Sequence, residues 1–366
     1  AKIGRDKYWA LNGLKRRYTF EASMQMTGNT QTKKRHHQIP ELYLKRFASP
    51  VTGQVWNYDK QAGKAWPCSV DDTACERHHY SITMENGQHN TEIEDAISRI
   101  EGIGAPLLQN VIDGEQLAGQ KRYDFASFVA MMLVRTNAFR RLYAEIHGNM
   151  KMEKGYRIAS NDSLFESTME RFQTDCGKIT DDQKQKLRAT MLDPSDYIFQ
   201  VDREYTLKAL GVHDQLAPLL SSMEWTIIEA PKGDWCFITS DNPVVHWVPP
   251  QYHHPFRGTD GLKNKRAELL FPLSPNLCWV GHWLKGAPNK LETTVEWVKQ
   301  TNRITAGFAE RFLYSQVESS RILRLAKKYV ASQPMIQMGR PGPDRKAEIR
   351  VVRSLSGKVD RDKVNE

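Results

Sequence analysis

Apolar residues recur at helical spacing at Ile93, Ala96, Ile97, Ile100 and Ile103, and this stripe predicts a helix from Thr91 to Ile112. Glu92, Glu94 and Asp95 lie near its positive end, where carboxylates are stabilising. Phe125, Phe128, Val129, Met132, Phe139 and Leu142 continue one helical face and predict a second, longer helix over about 123–146. Further helices are predicted around 163–176, 181–192 and 202–222. Upstream, Ile39-Pro40-Glu41-Leu42-Tyr43-Leu44 reads as a turn into a short helix. Gln54-Val55-Trp56-Asn57-Tyr58 alternates like a strand of a short hairpin.

The texture changes after Met223. Short β-type runs at 225–228, 235–239, 269–273 and 277–280 are separated by Gly, Pro and Asp, and helices over about 291–306 and 319–329 enclose the strand-like Phe312-Leu313-Tyr314-Ser315. Helices followed by strands give an α+β fold, with a helical N-terminal half packed with a small, mostly antiparallel sheet in the C-terminal half. No internal repeat is visible. We divide the 366 residues into a basic extension (1–32), one α+β domain (33–330) and a basic flexible tail (331–366).

Composition changes this picture mainly through charge. With 40% hydrophobic and 26% charged residues the chain is globular, but its formal charge of +9 favours a polyanionic partner, because clustered Lys and Arg release counterions from phosphate backbones. Much of the excess lies in the first 35 residues, which end in Lys33-Lys34-Arg35. The five cysteines form no CxxC pair, no apolar run reaches the ~20 residues needed to cross a bilayer, and no signal peptide is evident. These features predict a cytoplasmic protein with no membrane contact.

Several short elements stand out in order: KRHHQIPELYLKRFA from Lys34, VWNYDK from Val55, the spaced Glu94 and Glu101, VRTNAFR from Val134, FITSDNPV from Phe237, PLSP from Pro272 and AERFLYS from Ala309. Together they resemble the family catalogued as domain of unknown function DUF4238, over roughly residues 33 to 320. The resemblance implies one shared fold unit and brings no reaction with it. The family tends to have Pro where Asn137 stands, a departure that bears on the geometry of the long helix.

Read chemically, His36 and His37 offer metal ligands or proton carriers, and Asp241 follows a predicted strand, where catalytic acids often sit. Glu94 and Glu101 are two helical turns, about 10 Å, apart on one face. A site of His36, His37, Glu94 and Asp241, with Glu94, Asp241 and His37 holding Mg or Mn and Arg135 binding an anion, would suit metal-assisted attack on a phosphodiester. The alternative for each residue is structural: Asp241 caps backbone amides, Arg135 pairs with Glu101, and the His pair fixes a loop. Cys68, Cys75, His78 and His79 give an incomplete zinc pattern. Arg141 and His147 resemble the Arg-and-His motif of helical ribonucleases of the HEPN type. Phosphate-loop, dinucleotide and serine-hydrolase motifs are lacking.

Two functions follow. One is a metal-assisted nuclease or related phosphoester hydrolase, suited to defence against foreign nucleic acid. The other is a non-catalytic module that binds DNA, RNA or a protein, with Lys33, Lys34 and Arg35 as the nucleic-acid contact.

Overall fold

The computed structural model describes residues 35–77, 82–83, 89–90, 92–193, 207–253, 261–330, 334–338 and 349–353. The chain opens with β1 (Arg35–His37), α1 (Glu41–Leu44), a hairpin of β2 (Gln54–Asp59) and β3 (Lys64–Ser69), then β4 (Cys75–Arg77), which pairs with β1. Two short strands, β5 (Ile82–Thr83) and β6 (His89–Asn90), precede the helices α2 (Glu92–Ile112), α3 (Gly119–Val134), α4 (Asn137–Ala159), α5 (Asp162–Cys176), α6 (Asp181–Leu192) and α7 (His213–Ser222). The C-terminal part holds β7 (Glu224–Glu229), β8 (Thr239–Ser240), β9 (Val245–Trp247), β10 (Glu268–Ser274), β11 (Leu277–His282), β12 (Lys290–Glu292), α8 (Val295–Phe308), β13 (Phe312–Ser315) and α9 (Ser320–Lys328). The fold is α+β, as its sequence predicts.

The central sheet runs in the order β12-β7-β11-β10-β9 and is antiparallel except where β12 joins β7. Its inner strands β10 and β11 lack a polar face because both faces are covered. Leu269, Phe271, Leu273 and Trp279 pack with Phe125, Phe128 and Val129 of α3 and Leu220 of α7. The intervening Leu270, Cys278 and Val280 pack on Val298, Ile304 and Phe308 of α8. Alternation of side chains along each strand therefore sends one apolar run into two cores. A second sheet, β3-β2-β13-β8, brings the early hairpin against β13 and rests on α8 and α9 through Tyr58, Leu313, Ala306, Ile322 and Ala326. Helices α2 and α3 approach closely at Gly104, where a Cβ would lie 2.4 Å from the Phe128 ring.

Three elements depart from the sequence pattern. The long helix is two, α3 and α4, broken at Arg135-Thr136. Thr136 is extended (φ −71°, ψ 149°) and its hydroxyl caps α4 by accepting from Phe139 N at 3.2 Å. Asn137 is then the first residue of α4, the position where proline is best tolerated, so the proline expected there from the resemblance would fit the same geometry. Helix α8, expected from about residue 291, begins at Val295, after residues 290–292 have paired as β12; Thr294 caps it. The run 235–239 is a strand only at Thr239. The Ile238 N–H donates to Asn302 Oδ1, Asn302 Nδ2 donates to Cys236 O, and Phe237 N–H donates to Pro275 O, so ladder positions are taken by a side chain and a turn. Within the stretch assigned to the tail, Pro334–Met338 pairs antiparallel with Ile349–Arg353. No helix among the described residues is long and apolar enough to cross a membrane.

Candidate functional site

The motif elements meet around the connection from α8 to β13, residues 306–312. Helix C-termini leave carbonyls without intrahelical partners, and the amides that follow the turn need acceptors too. Here side chains supply both. The Lys60 ammonium, at the end of β2 and fully buried, donates to Ala306 O at 2.9 Å and Ala309 O at 2.7 Å. Asn242 Nδ2 donates to Phe308 O at 3.2 Å. The Asp241 carboxylate accepts from Glu310 N (2.8 Å) on Oδ1 and from Arg311 N (2.6 Å) and Phe312 N (2.8 Å) on Oδ2. Its own N–H donates to Phe312 O at 3.0 Å, and Ser240 Oγ accepts from Asn242 N, closing the Asp-Asn turn.

Neighbouring charges are paired. Arg141 bonds Glu310, and Arg311 reaches Asp59 Oδ2 at 2.7 Å, while Asp59 Oδ1 accepts from the Gln61 and Ala62 amides. Burial pushes the Asp241 carboxyl up to about 6 against the pull of three amide donors, and burial brings the Lys60 ammonium down to about 8 although Asp241 and Glu310 oppose that fall.

A second node lies at the α3–α4 break, joined to the first because Thr136 Oγ1 sits 3.4 Å from Asn242 Oδ1. Arg135, 3% exposed, bonds Glu101 of α2 and donates through Nη2 to the carbonyl of His37 at 2.6 Å. Tyr43, of the same N-terminal motif, is wholly buried, with its hydroxyl donating to Pro272 O at 2.7 Å and lying 2.7 Å from Thr239 Oγ1.

The candidate residues therefore fall as follows. Asp241, Arg135 and the His37 backbone belong to one connected set of hydrogen bonds, with Glu101 where the alternative reading put it. The His37 side chain is half-buried, and its Nδ1 has no hydrogen-bond partner. His36 lies on β1 opposite Glu76, and Arg35 opposite Arg77. Glu94 is in the first turn of α2, two turns before Glu101. Lys33, Lys34, His78 and His79 lie outside the described residues. Among those described, no group of three or more His, Cys, Asp or Glu side chains is placed to hold a metal ion, and both Asp241 oxygens are taken by amides. His37, Glu94 and Asp241, the donors expected for Mg or Mn, form no such group. Arg141 is bound to Glu310, and His147 stacks on Tyr143 with centroids 4.1 Å apart, so the HEPN-type pair is drawn into packing.

The residues that the chemical reading passed over are Lys60, Thr136, Asn242 and Glu310. Each stands inside a motif quoted above, at its edge or beside its acidic residue. No curated protein and no solved structure matches the chain. The model of the family described as "Protein of unknown function (DUF4238)" matches residues 35–319, which span every element of this network, and the chain belongs to that family.

Proposed function

We propose that this chain is a non-catalytic nucleic-acid-binding protein of the reducing cytoplasm, in which the motif residues brace the interior and the Lys33-Lys34-Arg35 run engages phosphate. The observation that carries the reading is the commitment of Asp241: its buried carboxylate accepts three consecutive backbone amides of the α8–β13 connection, which fills most of its acceptor sites and ties it to the fold. Arg135 likewise spends charge on Glu101. The remaining chemistry is the +9 charge, much of it ahead of β1.

Charge reversal of Lys33, Lys34 and Arg35 to Glu tests this by fluorescence anisotropy with labelled single- and double-stranded DNA and RNA across a salt series. Loss of three phosphate contacts is expected to reduce the slope of log affinity against log salt by about 2 to 3, with roughly tenfold or greater weakening at low salt. An unchanged slope would remove the arm from the interface. A second reading, Mg- or Mn-assisted phosphodiester cleavage in defence against foreign nucleic acid, keeps one observation in its favour: the buried, unpartnered Nδ1 of His37.

A further inference from the structure

Away from the motif network, a cavity of about 280 Å³ opens between the β9–β10 edge of the central sheet and the first turns of α8. Its walls include Trp247, Glu268, Leu270, Trp297, Thr301 and Ile304. Trp247 and Glu268 are directly opposite each other on β9 and β10 and so share one face. Both indoles are held by edge contacts, Trp247 to Phe308 at 6.4 Å and Trp297 to Phe237 at 5.9 Å. Glu268 is half-buried and makes no side-chain hydrogen bond or ion pair with any described residue. Glu296, at the rim, is by contrast neutralised by Lys299 at 2.5 Å.

A carboxylate withdrawn from water without a counter-charge is costly, and burial raises the Glu268 carboxyl accordingly. Indole faces attract cations through their quadrupole, and Trp is the strongest of the aromatic side chains in this respect. An anion would meet the Glu268 carboxylate, and the helix end that could attract it is already capped, since Thr294 Oγ1 accepts from Trp297 N at 3.3 Å. The volume lies just below the ~300–1,000 Å³ of drug-sized ligand sites, which limits the occupant to a small group. We propose that this cavity is a binding site for an organic cation, an alkyl-ammonium or alkyl-guanidinium group, with its charge on Glu268 and its hydrocarbon against Trp247 and Trp297.

The same chemistry is carried by free amines and by Lys or Arg side chains of a peptide, so the test has two arms. Isothermal titration with butylammonium and butylguanidinium, and separately with acetyl-Gly-Lys-Gly-amide and acetyl-Gly-Arg-Gly-amide, is expected to give saturable one-to-one binding in at least one arm. The arm that binds names the source. Glu268→Gln and Trp297→Leu should each weaken binding by roughly tenfold or more, and the neutral analogue butylurea should bind correspondingly less. Glu268→Gln keeps the shape and removes an uncompensated charge, so its melting temperature should not fall, which separates lost binding from lost folding. Absence of saturable binding in both arms, or equal affinity in folded Glu268→Gln, would overturn the proposal.

Discussion

Replacement of Asp241 by Ala is expected to cost roughly 3–5 kcal/mol of stability, because three amides lose their acceptor together at about 1–3 kcal/mol each, with incomplete additivity. In a chain of this size that corresponds to a fall in melting temperature of roughly 4–7 °C. Asp241→Asn should be only partly better, since its amide nitrogen would face an N–H donor. The pH dependence carries a sign. The Asp241 carboxyl rises from 3.8 in the unfolded chain to about 6 in the fold, so the folded state binds the proton more tightly. Its linked stability is full below about pH 4 and is lost as pH rises through 6, a change of about 3 kcal/mol at most. The stability gap between wild type and the non-titrating Asp241→Asn should therefore narrow between pH 4 and pH 6. Denaturant unfolding across that range measures it, and a gap that widens would contradict the burial argument.

Arg135→Ala should be comparably damaging. It leaves Glu101 without its cation and the His37 carbonyl without a donor, and removing one partner of a buried ion pair costs about 3–5 kcal/mol. The paired change Arg135→Met with Glu101→Leu should cost less than the two single changes summed, because no uncompensated charge remains. Urea unfolding of the four proteins of this cycle gives the answer. Were Arg135 an anion-binding residue, Arg135→Ala would keep its stability and lose ligand affinity instead.

Much of the architecture was legible because periodicity records which face is buried. The stripe from Ile93 marks α2, and the uninterrupted Leu269–Leu273 run marks a strand covered on both sides. The break between α3 and α4 was less visible, since apolar spacing continues from Val129 to Phe139 across it. The signal was the Thr136 hydroxyl, which competes for backbone donors only once the chain has turned. The capping role of Asp241 and the Glu101–Arg135 pair could be weighed from residue types alone. Lys60 could not: a lysine at a hairpin end ordinarily reaches water, and only the antiparallel pairing of β2 with β13 delivers it to the C-terminus of α8. The Glu268 cavity was equally hidden, because it forms from α8 and two strands that meet only in the fold.

That Asp241 braces the fold rather than performing chemistry is tested most directly by incubating the protein with labelled single- and double-stranded DNA and RNA in Mg²⁺, in Mn²⁺ and in chelator, beside Asp241→Ala at a temperature where both are folded. The bracing account predicts intact nucleic acid in every lane for both proteins, with salt-sensitive binding retained. Metal-dependent cleavage by the wild type, lost in the folded variant, would contradict it and give Asp241 a catalytic role.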